Sequence, residues 1–535
     1  MTNLFEITST DLLGRLGTIN TSKGIIYTPC FVPVVHPVPD KNLIDVSTFQ
    51  SVFDVDFIIT SSYILRKRFV EEKIDLHKLT KFQGPIMTDS GAYQSLVYGE
   101  VEITPENAIS YQELIESDFG VPLDIPISIK DSYNIARDKV EITLERCKNV
   151  EAIKQESSVI WLGPIQGGKY LDLIEKSAKT ISSIDTFGMF AIGSVVEIMN
   201  DYRYDTLLEM ILTAKQYLNP AKPIHLFGAG HPSIFPFIVA AGCDSFDSAS
   251  YALYAQDDRY ITNTQTFLLE DIEYFPCTCP FCISTTPTNL KQKPKKERMR
   301  FLAAHNLHVC QAEIRNIRRA IFSGTLWELL ENRATAHPNL KKGFDVLKKH
   351  SAMLMRNTPS TKKKGIFMIS DSSFSRPELL LHKNRLDSLQ LDDKNNLLLL
   401  SLINTPITET YSVIRLLKEI IKDNSKLSKT FQIWLLDSYF NIIPLEISEV
   451  FPLIQYIGTG TISQELVKEN VLDSLNFIES KKFNRIILLG ELGSINSIIN
   501  QQKTFQRMKI ESIGFSLKDS NIGILEDIIT KLIQI

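Results

Sequence analysis

The chain has 535 residues, 44% hydrophobic and 22% charged, which is the composition of an ordinary globular protein long enough for two or three domains with cores of their own. A formal net charge of −4 excludes a strongly basic protein held by nucleic acid through its overall charge. No stretch reaches the roughly 18 uninterrupted apolar residues of a membrane helix, and residues 1–30 show no basic segment followed by an apolar run, so no membrane association is expected and the expected location is cytoplasmic.

Taken in chain order, short apolar runs at 57–60, 84–87, 159–165, 189–192, 223–227 and 244–246 alternate with longer helical patterns. This alternation predicts parallel strands joined by helical crossovers. Each run ends in polar or glycine-rich residues: T-S-S-Y at 60–63, T-D-S-G at 88–91, Q-G-G at 166–168, G-S at 193–194, G-A-G-H at 228–231 and F-D-S-A at 246–249. In a closed (β/α) barrel the carboxyl ends of the strands converge on one mouth, where such barrels carry their chemistry. One Asp at a strand end is more often a cap or turn residue than a catalyst, but so many polar strand ends together argue for a site. Beyond the barrel pattern, T-P-S-T-K-K-K-G at 358–365 reads as a linker. Apolar runs at 366–369, 397–402, 431–436 and 485–489 then predict a separate, smaller α/β region. The expected division is 1–345, a linker at 346–365 and an accessory region at 366–535.

Two further features stand at the end of the barrel pattern. Of the seven cysteines, Cys277, Cys279 and Cys282 crowd into six residues, and after 22 intervening residues comes a histidine, His305. Three thiols and an imidazole at that spacing suit one tetrahedral zinc in a closed structural site, while Cys30, Cys147, Cys243 and Cys310 form no paired framework. Spacing alone leaves His308, one helical turn on, as an alternative fourth ligand. From 285 to 320 there are nine Lys or Arg (Lys291, Lys293, Lys295, Lys296, Arg298, Arg300, Arg315, Arg318, Arg319) against two Glu, a basic patch that fits a polyanionic partner or, more plainly, a solvated helix face.

Asp89, Asp124 and Asp247 in one pocket could divide glycosyl chemistry among them. One carboxylate attacks the anomeric carbon, a second moves the proton of the leaving group, and a third reads ring nitrogens. Gly167, Gly168 and Gly193 would admit a flat ligand close to the backbone, with Tyr93 placed to stack on it, so the pocket would suit a purine.

The blocks T-D-S-G-A-Y-Q at 88–94, V-P-L-D-I-P at 121–126, I-Q-G-G at 165–168, H-L-F-G-A-G-H-P at 225–232 and F-D-S-A-S-Y-A-L-Y-A-Q-D-D-R-Y at 246–260, followed by C-x-C-x2-C-x22-H-N-L-H-V, carry a resemblance. In order and spacing the chain resembles the archaeal tRNA-guanine transglycosylases, strongly over 1–345 and more weakly through S-R-P-E at 375–378 and I-P-L-E at 443–446. The resemblance implies an irregular TIM (β/α)8 barrel with a zinc-binding insertion, and a pentosyltransferase that exchanges guanine for 7-cyano-7-deazaguanine at position 15 of the tRNA D-loop, in archaeosine biosynthesis. It implies Asp247 as nucleophile and Asp89 as general acid and base. Asp124, Gln166, Gly193, Val195, Val196 and Tyr93 would bind the base, and Cys277, Cys279, Cys282 and His305 would hold one structural Zn2+ per subunit. Arg259, Lys295, Lys296, Arg315 and Arg318 would meet tRNA, and a homodimer is implied.

The chain departs from the family pattern at three places. Members commonly have two glycines where this chain has Gly193-Ser194, and an Asn near Ser61. Full-length members carry a small RNA-binding PUA domain, and no segment of 366–535 reads as one, which leaves either a separate PUA-domain protein or the barrel and tail alone to hold the tRNA. An archaeosine-synthase-like paralogue would have lost the nucleophile and gained a Cys and Lys motif in the tail. A non-catalytic tRNA-binding subunit would have lost one of the three aspartates, and all three are present.

Overall fold

The computed structural model describes residues 3–69, 73–92, 104–153 and 157–388, most of 394–514 (apart from 404, 406, 424, 460, 461, 491, 502–504, 506 and 507), and 525, 527–529 and 531. The chain divides into two compact units, Met1–His350 and Ser351–Ile535. Among the described residues no helix is long and apolar enough to cross a membrane.

In the first unit β1 (Phe5–Asp11), β2 (Gly14–Thr21) and β3 (Gly24–Thr28) form an antiparallel sheet. Eight parallel strands follow: β4 (Cys30–Pro33), β5 (Ile58–Ser61), β6 (Ile86–Asp89), β7 (Phe119–Gly120), β8 (Ile160–Ile165), β9 (Phe187–Ile192), β10 (Ile224–Leu226) and β11 (Ser245–Ser248), ordered β4-β11-β10-β9-β8-β7-β6-β5. The edges meet just past β4, where Val34 pairs in parallel with Ile59 and Val35 N–H donates to Ile59 O at 2.8 Å. The sheet is therefore a nearly closed, irregular TIM-type barrel, as the alternating pattern predicts. Its crossover helices bury one face each: in Leu171–Ser182 the buried residues Leu173, Ile174, Ser177, Ala178 and Ile181 fall at helical spacing.

Successive side chains of a strand point to opposite faces, so one parity of each strand fills the barrel. The lower interior is apolar: Val32, Ile59, Met87, Phe119, Leu162, Met189 and Ala191 form one buried cluster, joined by Phe5, Ile19 and Ile26 of the N-terminal sheet. Each large apolar side chain buried there contributes roughly 1.5–3 kcal/mol. Two residues further along β5 and β6 the inward positions turn polar, at Ser61 and Asp89; on β11 the inward Ser245 is followed by Asp247, and beyond β8 and β9 come Gln166 and Gly193. The apolar floor thus fixes the register that carries the polar residues to the mouth.

Beyond the barrel, β12 (Arg259–Ile261) and β13 (Thr266–Leu268) form a hairpin, and the long helix Lys295–Ser323 follows. The second unit holds β14 (Ile366–Met368), β15 (Asn396–Ser401), β16 (Phe431–Asp437), β17 (Asn441–Pro444), β18 (Tyr456–Gly458), β19 (Arg485–Gly490) and β20 (Ile510–Gly514). Its main sheet runs β17-β16-β15-β19-β20, parallel except for β17, and β14 pairs with β18. Both faces are covered, which is why β15, β16 and β19 read as continuous apolar runs. Leu398, Leu400, Ile433, Leu435, Ile487 and Leu489 pack to one side with Val413 and Leu417, while Leu397, Leu399, Trp434, Leu436, Ile486 and Leu488 pack to the other with Val471 and Leu475.

Candidate active site and metal centre

Asp89 ends β6 and Asp247 lies on β11, both directed inward above the apolar floor. Asp89 Oδ1 accepts from Ser61 Oγ and from Gly91 N, each at 3.0 Å. Gly91 has φ +84, and a Cβ there would stand 2.6 Å from Tyr63 Cβ, so only glycine brings this N–H under the carboxylate. Burial pushes the Asp89 carboxyl up to about 7, against the pull of those hydrogen bonds, and the charges of Asp247 and Asp124 add to the rise. At neutral pH this group exists in both protonation states, as a group that must give and take a proton requires.

Asp247 is held differently. Its Oδ1 accepts from Gly228 N at 3.1 Å and faces His225 Nε2 at 3.1 Å, while His225 Nδ1 lies 2.8 Å from Ser245 Oγ. Among the described residues nothing hydrogen-bonds Oδ2. One carboxylate oxygen is therefore held by two groups while the other accepts no hydrogen bond from the described residues, which leaves it available as a nucleophile.

Asp124 follows β7, on a segment supported by Gln112, whose amide bridges Val121 O and Ala108 O and whose Oε1 accepts from Val121 N. Asp124 Oδ2 accepts from Gln166 Nε2 at 2.5 Å and Oδ1 from Ser90 Oγ at 3.3 Å; burial raises its pKa, partly offset by Gln166. Ser194 Oγ accepts from Ile127 N at 2.7 Å and donates to Gln166 Oε1 at 2.5 Å, which leaves the Gln166 amide no choice of orientation. Gly193 is packed so closely that a Cβ would fall 2.3 Å from Gln166 Nε2. Ser194 holds a left-handed φ of +62, uncommon for a residue with a side chain. Val195 is buried, and Val196 opens the short helix Val196–Asn200, packed where a Cβ on Gly228 would meet it at 2.6 Å. The structure thus brings Asp89, Asp124, Gln166, Gly193, Val195, Val196 and Asp247 to the carboxyl end of one barrel. Tyr93 lies outside the described residues.

Cys277, Cys279, Cys282 and His305 place one donor atom each within 4.8 Å of one another. His305 Nδ1 is 3.5 Å from Cys279 Sγ and 3.3 Å from Cys282 Sγ, and its Nε2 donates to Ile261 O at 2.9 Å. That backbone bond fixes the tautomer that leaves Nδ1 as the ligating nitrogen. The Tyr260 ring stacks on the imidazole at 3.7 Å between centroids. The neighbouring Asn306 accepts from Ile261 N and donates to Tyr251 O and Arg259 O, so the H-N pair clips the helix to β12 and α-helix Ser250–Gln256. Of the two histidines that spacing allows, His305 is the one in the cluster, and three thiols with one imidazole form a donor set that can hold a metal.

The basic residues separate into two kinds. Arg259, Lys295 and Lys296 are exposed. Arg315, also exposed, pairs with Asp54 at 3.2 Å, whereas half-buried Arg318 donates to Pro29 O and Tyr27 O at 2.9 and 2.6 Å, tying the long helix to the N-terminal sheet.

His225 and Ser245 belong to the site by contact, although sequence reasoning gave them no role in it, while Ser61 and Ser194 entered it only as strand-end polar residues and departures from the family pattern. The signal for the first two was present: in I-H-L and S-F-D the polar residues share the inward parity of Asp247.

Similarity to known proteins runs along most of the chain. Residues 10–339 match the family described as queuine tRNA-ribosyltransferase. The chain is 41% identical over 461 residues to the tRNA-guanine(15) transglycosylase of Methanocaldococcus jannaschii, covering 84% of this chain and 68% of that one. It is 38% identical to the protein of the same name in Saccharolobus solfataricus (91% and 97% covered) and 34% identical to that of Sulfolobus acidocaldarius (91% and 95%). The chain belongs to the tRNA-guanine transglycosylase family.

Proposed function

We propose that this protein exchanges guanine for 7-cyano-7-deazaguanine at position 15 in the D-loop of tRNA, through a covalent ribosyl-aspartate. The observation that carries the reading is the unequal setting of two inward carboxylates at one barrel mouth. Asp247 has one oxygen anchored and one open, and Asp89 has its carboxyl raised to about 7. The names of the relatives supply the class of substrate.

Asp247 Oδ2 attacks C1′ of the ribose as the C1′–N9 bond breaks. Asp89 gives its proton to the departing guanine, then takes one from the incoming base, whose N9 attacks C1′ and releases Asp247 as a carboxylate. Two displacements return the original configuration. Asp124 offers acceptors to the N1–H and 2-amino group of a guanine-like base, and the Gln166 amide, oriented by Ser194, has a second N–H to offer its O6. Gly193 to Val196 would border the 7-substituent. Because the target base lies in folded RNA, it must be unstacked into the mouth before attack.

Cys277, Cys279, Cys282 and His305 would hold a zinc ion with four protein ligands, which would supply no chemistry and would stiffen the segment that leads into the long helix. Arg259, Lys295 and Lys296 supply exposed charge for RNA phosphates. A homodimer and a cytoplasmic location complete the reading, with the tRNA held either by the barrel and tail alone or together with a separate PUA-domain protein. Incorporation of radiolabelled guanine into unmodified tRNA tests it: wild-type protein incorporates label and Asp247→Ala does not. Absence of incorporation by the wild type, with or without a PUA-domain protein, would refute it.

A further inference from the structure

Among the described residues, the apolar barrel floor carries a polar pair. His225 of β10 and Ser245 of β11 are register partners, and both are completely buried. Asp247 is the next inward residue of β11 above Ser245, so the imidazole spans the step between a hydroxyl below and a carboxylate above, at 2.8 and 3.1 Å. The ring is wedged edge-on against Phe227 at 4.8 Å between centroids. A side chain that only filled this space would be apolar, like Val32, Met87, Leu162 and Met189 of the barrel floor, because burying polar atoms costs free energy unless they are used.

We propose that His225, with its tautomer set by Ser245, is a positioning residue for the nucleophile. This rests on the reading of Asp247 given under Proposed function. The Ser245 hydroxyl donates to Nδ1, which leaves the proton on Nε2 to donate to Asp247 Oδ1. With Gly228 N–H on the same oxygen, Oδ1 is occupied and Oδ2 is the oxygen that attacks. When the Oδ2–C1′ bond forms and C1′–N9 breaks, Oδ1 becomes the ester carbonyl and keeps its donors. In the second displacement the same N–H groups stabilise the carboxylate as it leaves. His225 transfers no proton at any stage. Its donor is aimed at the oxygen whose charge changes, the arrangement that an oxyanion site uses in acyl transfer.

The test compares three substitutions in the full chain. His225→Gln places an N–H2 near the Nε2 position and can still donate to Asp247. His225→Asn places its amide near Nδ1 and cannot reach it. His225→Phe fills the volume without a donor. Guanine exchange into tRNA is measured for kcat and KM, the ribosyl-enzyme adduct is quantified after denaturing quench, and thermal melting records folding. Loss of one hydrogen bond to a charged group predicts a fall in kcat of roughly 10- to 100-fold for His225→Phe and His225→Asn, with KM for tRNA and guanine nearly unchanged. His225→Gln is expected to recover most of the rate and the adduct. Wild-type kcat in His225→Phe, or equal rates in the Gln and Asn variants, would overturn the proposal. Where His225→Phe does not fold, the Gln and Asn pair decides, and where these too fail, Ser245→Ala decides, a wild-type rate there counting against it. No exchange by the wild-type protein would instead overturn the assignment of Asp247, a separate outcome.

Discussion

Gly193→Ala isolates the base-reading network with one methyl group. The backbone at Gly193 lies outside the left-handed region, so alanine meets no conformational penalty of its own. The added Cβ would stand 2.3 Å from Gln166 Nε2, 3.1 Å from Cδ and 3.3 Å from Oε1, well inside contact, and Gln166 must move. Moving it breaks the 2.5 Å bond to Asp124 and the bond from Ser194. A hydrogen bond to a charged group is worth about 1.5–3 kcal/mol, or roughly a 10- to 100-fold rise in KM for free guanine. The rest of the barrel absorbs an overpacking cost of about 1–3 kcal/mol, visible in melting. Because the effect passes through Gln166, it must vanish when that side chain is gone. Gly193→Ala in a Gln166→Ala background is expected to change KM for guanine by less than about twofold. Equal penalties in both backgrounds would refute the argument, as would an unchanged KM in the single variant.

Three further outcomes follow. Between the ordinary carboxyl value of about 4 and about 7 the folded protein keeps a proton on Asp89 that the unfolded chain has released, so this group favours the fold at low pH and that contribution is lost as pH rises through about 7. Asp89→Asn should therefore flatten the decline in melting temperature over that window, and in the wild type kcat/KM for tRNA should fall above about pH 7, where the acid form needed for the first step disappears. Metal analysis should find one zinc per chain, and Cys279→Ala should release it and lower the melting temperature, with the aspartates untouched. Lys295→Glu with Lys296→Glu should weaken tRNA binding and reduce the slope of log K against log salt by about two, whereas Arg318→Ala should act mainly on stability through its lost bonds to Tyr27 O and Pro29 O.

Much of the barrel was legible because buried parallel strands are apolar runs. The runs at 159–165, 189–192 and 223–227 became β8, β9 and β10 with small shifts at the ends. β7 escaped because its two residues, Phe119 and Gly120, give no periodic signal, and the sheet β1 to β3 escaped because its residues alternate between core and solvent in a stretch rich in Thr and Gly. In the second unit the central strands β15, β16 and β19 were visible as runs, while the edge strands β17 and β20 were not. The aspartates stood out in the sequence because charge at a strand end is unusual. His225 and Ser245 did not, since a polar residue inside an apolar run has no evident partner until the barrel brings β10 and β11 into register. Ser194 read only as a departure from two glycines, and its bonds to Gln166 and Ile127 exist only once the loops after β7, β8 and β9 meet.

The central claim is that Asp247 becomes covalently linked to ribose. Wild-type protein mixed with tRNA and rapidly denatured should yield a protein–RNA adduct whose ester maps to the peptide containing Asp247, absent from Asp247→Asn and discharged by added guanine. Guanine exchange that proceeds in Asp247→Asn, or an adduct that maps to Asp89, would contradict it.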